Sequence, residues 1–358
     1  MLQRTNTIWR SRFGSSIRVV RRQIHIRSWQ LSTKPYGSLS VKLPFACKVN
    51  ISPLDPHKSD WTNANIHLHI PTCSNLSESQ ARDLAEKVGM KCFEDEDAGS
   101  LVRVESVLQD DPLLESSVVC HTPELYVEIP GLHNLQVELK TGDLRLCDTI
   151  EGDVHIKTES APIFINKLRS TSARIETLKG DVDARILQGD VCINCDSGNV
   201  KLKRAQGNDM SIECGGKFEA DSMYGGRIAV RTKGKLRIDA VHGDVDIEAA
   251  NASISAVQGR LKMRSTGDVN LTLADSGGKR VDIDAGGDVR LGIQKGVVAQ
   301  FELQARNVRD EAGALQRSAP GPGEHAEDCW SVHVSASGDV TLRDDGWAQR
   351  IASGTGAS

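Results

Sequence analysis

Between Gly131 and Asp345, apolar side chains fall on every second residue in short runs, and most runs open at a glycine. Val191, Ile193 and Cys195 form one such run; Val245, Ile247 and Ala249 form another. Period two marks a strand with one face buried. Gly180, Gly189, Gly198, Gly207, Gly216, Gly225, Gly234 and Gly243 lead eight successive runs at a strict nine-residue spacing. The unit returns more loosely at Gly142, Gly152, Gly259, Gly267, Gly287 and Gly338, and most copies read Gly-Asp-Val-x-Ile/Leu. Glycine permits the backbone angles of a tight corner, and the following Asp can bond neighbouring amides there. One short strand cannot bury its face alone, whereas a stack of them can.

The fold predicted is mainly β: a parallel β-solenoid over residues 131–305. No proline occurs between Pro162 and Pro320 to interrupt its ladders. A mobile loop is expected over 306–328, where Pro320-Gly321-Pro322-Gly323 breaks the pattern. Solenoid strands resume over 329–346, with Trp330 and Trp347 suited to a cap, and 347–358 read as a disordered tail. Charge selects the number of repeats per coil. With two repeats, about 18 residues, Lys201, Glu219 and Arg237 stack in alternating sign, as do Glu213, Arg231, Glu248 and Arg264. With three, Glu219 and Asp221 would lie on Asp246 and Glu248. Two per coil is favoured.

Upstream of the repeat the pattern changes. Residues 36–130 predict a separate, non-repetitive α+β or mainly-β unit capping the solenoid, with strands at 39–43, 66–70, 101–107, 118–120 and 125–129. One helix is expected over 78–89: Ser77 is a good N-cap, Ala81, Leu84, Ala85 and Val88 share a face, and Gly89 stops it. Residues 1–35 differ again. Ile8, Trp9, Phe13, Ile17, Val20 and Ile24 recur at helical spacing among five arginines, and no acid precedes Asp55. An Arg-rich, acid-free amphipathic N-terminus is what mitochondrial import requires, so the matrix is the expected address and the cytoplasm the alternative. Cleavage is expected between about Trp29 and Pro35.

Composition narrows the function classes. Aromatics are 4% of the chain, scarce for a globular core and suited to the narrow core of a repeat protein. Without its first 34 residues the chain carries 36 Lys and Arg against 48 Asp and Glu, a net −12. Such a body repels nucleic acid, and no nucleic-acid partner is expected. No apolar stretch reaches the roughly 18 residues that span a bilayer. Nine scattered cysteines fit free thiols in a reducing compartment.

The search for chemistry finds little. His67 and His69 share a strand face, a geometry compatible with a metal, but no third ligand accompanies them, and no metal or cofactor is expected. Gly-Asp at the corners lacks the paired glycines of calcium-binding nonapeptide rolls. Cys192-x-x-Cys195 places its thiols on opposite strand faces. Arg227, Arg231, Lys233, Lys235 and Arg237 form the one basic concentration, a candidate anion or partner surface. No catalytic constellation emerges.

The Gly-Asp-Val-x-Ile repeats, with Leu43-Pro44-Phe45 and the stretch from Asn50 to Pro56, resemble the "putative adhesin" family of β-solenoid domains. That resemblance implies the fold and brings no catalytic residues. The expected function is a non-enzymatic scaffold or binding module for a protein partner. A carbohydrate-active or other β-helix enzyme is the alternative, and it requires a deep groove with clustered acids along one sheet.

Overall fold

In the computed structural model, residues 22–34, 36–55, 62–72, 77–95, 100–106, 122–273, 280–294, 297–315 and 329–344 are described. Alternating apolar residues produce alternating burial nearly everywhere. Leu39, Val41 and Leu43 are buried in β2 (Ser38–Leu43), and Cys47, Val49 and Ile51 in β3 (Cys47–Pro53). The chain continues through β4 (Asn63–Thr72), α1 (Glu78–Val88), β5 (Met90–Asp95), β6 (Leu101–Ser106) and β7 (Glu124–Ile129), all of them after β1 (Arg22–Ser32). Then come β8 (Asn134–Leu139), β9 (Gly142–Glu151) and β10 (Val154–Thr158).

The middle of the molecule is built from long bent strands, each supplying a segment to both faces of a flattened coil. These are β11 (Ile163–Thr177), β12 (Val182–Cys195), β13 (Val200–Cys214), β14 (Phe218–Thr232), β15 (Lys235–Ala249) and β16 (Asn251–Ser265). Val182 lies opposite Val200, and Val200 opposite Phe218. The coil is therefore 18 residues, two repeats, as the charge argument required. Val191 pairs with Met210 and Met210 with Ile228, a one-residue slip absorbed at the bend. Pairing is parallel throughout this stack, and the aliphatic side chains of both faces meet in one continuous core.

The repeat glycines form two vertical columns, and close approach explains most of them. A Cβ on Gly198 would stand 2.2 Å from the carbonyl oxygen of Gly180, and one on Gly234 2.3 Å from that of Gly216. In the other column, a Cβ on Gly207 would lie 2.0 Å from Gly189 O and one on Gly243 1.9 Å from Gly225 O. Left-handed φ adds to this at only two of the eight, Gly189 (φ 111°) and Gly243 (φ 136°). Gly216 and Gly225 meet the oxygens of Gly198 and Gly207 at 2.6 and 2.9 Å. Rung-on-rung packing, more than corner angle, excludes a side chain here.

The corner Asp and Asn residues also act between rungs. Asp181 Oδ1 accepts from the Asn199 amide at 2.7 Å, and Asn199 Oδ1 from the Lys217 amide at 2.8 Å. Asp190 Oδ1 accepts from the amides of Asn208 and Asp209. The sequence reading had these side chains bonding amides of their own corner. Instead each satisfies an amide of the following coil, so the acceptor oxygens are occupied by the fold itself.

Both ends depart from chain order. At the C-terminal end follow β17 (Val269–Leu273), β18 (Arg280–Ala285), β19 (Val289–Ile293), β20 (Ala299–Gln304), β21 (Asn307–Asp310), β22 (Trp330–Ala336) and β23 (Asp339–Asp344). The late pair β22–β23 lies between β18–β19 and β20–β21, pairing in parallel with both neighbours. The N-terminal end repeats the device: β2–β3 is sandwiched between β6–β7 and β8–β9. The stack thus begins at Ser38, inside the segment expected to be a separate domain. These early rungs carry the period-two pattern without the nine-residue glycine frame, which is why the sequence reading stopped at Gly131. Two antiparallel additions close this end, β1–β4–β7 on one face and β5–β6 on the other.

Three further expectations change. Residues 22–32 form a strand, not the end of an amphipathic helix, and Ile24, Ile26, Trp29 and Leu31 pack against the core. Residues 307–310 form β21, and Ala312 and Ala314 are buried, so the expected mobile loop over 306–328 starts too early. Trp330 is wholly buried within its rung, whereas Trp347 and the expected strand at 118–120 lie outside the described residues.

Candidate functional site

Three places on the outer surface carry enough polar chemistry to consider. The basic run is the first, and folding divides it. Arg227 and Arg231 lie in the second segment of β14, Lys233 in the turn, and Lys235 and Arg237 in the first segment of β15, which belongs to the other face. Arg231 bridges Glu213 at 2.9 Å and Glu248 at 3.6 Å, and Arg264 continues the column to Glu248 at 3.5 Å. Arg227 lies 3.7 Å from Asp209, and Arg237 lies 3.2 Å from Asp239. The result is an ion-paired surface. It is no concentrated anion site.

The second place is a shallow recess of about 310 Å³ on the face formed by β16, β18, β22 and β20. Lys262, Asp282, His333 and Glu302 stand side by side across four adjacent strands, with Arg264 and Asp284 in the next row. His333 Nδ1 is 2.7 Å from Glu302 Oε2, and its Nε2 is 3.0 Å from Ser331 Oγ. This Ser-His-Glu chain has the spacing of a nucleophile with its base. However, it lies on a strand face whose amides are engaged in the ladders, so no pair of backbone N–H groups is aimed at a developing oxyanion. Arg280 holds Asp282 at 2.8 Å, which leaves the acids here paired with bases. A hydrolase groove needs depth and converging unpaired carboxylates, and this recess offers neither.

The third place is a polar cluster at the N-terminal end. On β4, Ile66, Leu68 and Ile70 point into the core, so His67 and His69 face outward. Antiparallel pairing with β1 sets His25 directly opposite His69. The ring centroids of His25 and His69 are 5.2 Å apart, with His67 at 6.3 and 6.5 Å from them. Ser28 Oγ bridges His25 Nε2 at 2.7 Å and His67 Nδ1 at 2.8 Å. Below, the Tyr126 ring meets His69 edge-on at 5.2 Å, and its hydroxyl donates to buried Glu124 at 2.8 Å. Burial, with His25 and His67 nearby, lowers the His69 pKa to about 4, and burial also lowers that of His67. Burial pushes the Tyr126 hydroxyl up to about 12.

Sequence reasoning found His67 and His69 but not their third neighbour, because His25 had been assigned to the import segment. A signal was present. Ile24-His25-Ile26 carries the same apolar-histidine alternation as Ile66-His67-Leu68-His69-Ile70. Cys192 and Cys195 do not form a reactive pair: Cys192 is exposed, while Cys195 is buried, donates to Gly180 O at 3.3 Å and has its thiol pushed up to about 11 by burial.

With the stack and its surface in view, comparison with known proteins is informative for the middle of the chain. Residues 128–216 match the Toastrack family, DUF4097. The Toastrack segment runs from the end of β7 to just past β13, the stretch in which the coils settle into their regular 18-residue register. No curated protein matches the chain. Solved structures similar to it include a "putative adhesin" from Parabacteroides merdae, 9% identical, covering 89% of this chain and 96% of that one at a TM-score of 0.35. Another is a "putative adhesin" from Bacteroides fragilis, also 9% identical, covering 91% and 100% at a TM-score of 0.27.

Proposed function

We propose that the protein is a non-enzymatic β-solenoid scaffold that binds a protein partner along its ion-paired faces and works in the mitochondrial matrix. The observation that carries the scaffold reading is the columnar pairing of surface charge, typified by Glu213, Arg231, Glu248 and Arg264. Such a surface is rigid, regular and without a deep cleft among the described residues, which suits extended recognition rather than turnover. The Toastrack match over residues 128–216 supports a module of this kind. The mitochondrial address rests on the Arg-rich, acid-free N-terminus.

Proximity labelling with the intact N-terminus tests both parts. Matrix proteins enriched by the full chain, and lost when residues 1–21 are removed, are the expected result. Enrichment of cytosolic proteins alone would reject the address. Hydrolysis of a glycoside or ester that disappears in Glu302→Gln would reject the scaffold.

A further inference from the structure

Neither the scaffold reading nor the Toastrack likeness uses the histidine cluster beside β1. We propose that His25 and His69 form a clamp for a divalent transition cation of the zinc, copper or nickel class, with His67 as a third donor.

The geometry suits the pair. At a metal–nitrogen distance of about 2.0 Å, a ring centroid stands roughly 3.2 Å from the ion, and two ligands at a tetrahedral angle have centroids about 5 Å apart. The His25–His69 separation of 5.2 Å meets this. His67, at 6.3 and 6.5 Å, stands about 1 Å too far. Among the described residues no group of three His, Cys, Asp or Glu is preset to hold a metal. The clamp therefore starts as a pair, and His67 joins by turning away from Ser28.

Surroundings and ligand chemistry agree. Ser28 has one proton to give, so it donates to one of its two histidines and accepts an N–H from the other. The histidine that donates to Ser28 keeps its second nitrogen as an open lone pair, with its ring orientation fixed as a ligand-supporting bond would fix it. Glu128 lies close enough to His67 to act on it electrostatically, and Glu124 sits beneath Tyr126, so the field around the rings is negative. Imidazole donors select zinc, copper and nickel over magnesium and calcium, which demand oxygen. Because the two halves of the clamp come from β1 and β4, a bound ion would also tie the antiparallel end strand to the stack.

The test is a zinc sulfate titration of the full chain, followed by calorimetry and by NMR of the histidine rings. Zinc should saturate a single site and move the ring signals of His25 and His69 before those of His133, His155, His242 and His333. His25→Asn and His69→Asn should each weaken binding at least about tenfold, with His67→Asn weaker in effect and magnesium silent. A silent zinc titration, affinity unchanged in both variants, or first movement at His242 or His333 would overturn the proposal. The wild-type ring signals decide the matter even where a variant unfolds.

Discussion

Arg231 Nη1 stands 2.9 Å from Glu213 Oε1 on the preceding coil, although 18 residues separate the two in the chain. The contact exists only because two nine-residue repeats make one turn, so it reports the coil length as directly as the backbone does.

Reversing that column should be measurable. Arg231→Ala removes two half-exposed pairs and should cost no more than about 1 kcal/mol. Arg231→Glu sets three acids in a row and should cost about 1 kcal/mol beyond that. Adding Glu213→Lys should recover part of the loss. Thermal melts of the three proteins in low salt check this, and the differences should shrink in high salt.

The glycine columns predict a sharper effect. In Gly198→Ala the new methyl would meet Gly180 O at 2.2 Å, a backbone atom that cannot swing away. Unfolding in urea should show a loss on the order of 3 kcal/mol or failure to fold. At Gly131 the nearest atom to an added Cβ is 3.7 Å distant, so Gly131→Ala should change stability by less than about 0.5 kcal/mol.

Trp330 anchors the rung inserted out of order. It is fully buried, and Trp330→Ala should cost about 3–5 kcal/mol, concentrated in the last coils. Hydrogen exchange should show loss of protection at β18–β23 with β12–β14 unchanged.

Acid should weaken the N-terminal end. Buried His133 accepts from or donates to Thr33 Oγ1 at 2.8 Å and bonds Leu132 O at 2.9 Å, and burial lowers its pKa below the ordinary 6.5. Below pH 6.5 the unfolded chain takes up a proton that the folded chain refuses, so stability present above that pH falls as acid is added. Melting between pH 7.5 and 5 should show the decline, and His133→Gln should flatten part of it.

Processing has a structural limit. Cleavage between Trp29 and Pro35 would strip β1 from β4 and uncover the side chains against which Ile24, Trp29 and Leu31 pack. N-terminal sequencing of protein from mitochondria should therefore find the mature end before Arg22.

The regular coils were legible because each satisfies itself locally: Val, Ile and a small residue at period two, with glycine wherever the next coil's backbone presses close. The ends were not. Placing β2–β3 beside β8–β9 requires pairing Leu39 with Leu135 across 96 residues, and nothing in local pattern encodes that choice. The same non-locality hid the recess at His333 and Glu302, which are neighbours only because β22 slots in beside β20. His25 was hidden differently, by an Arg-rich composition that outweighed its alternation with Ile24 and Ile26.

Cysteine pairing across the stack is the most direct test of the coil. In a protein lacking Cys147 and Cys192, Lys201→Cys with Glu219→Cys places two outward thiols on facing parallel positions, at strand spacing of about 4.8 Å. Mild oxidation should join that pair rapidly and leave Glu219→Cys with Asp246→Cys unjoined, since those positions lie on opposite faces. Rapid joining of 219 to 246, with 201 and 219 remaining free, would mean three repeats per coil and contradict the structure.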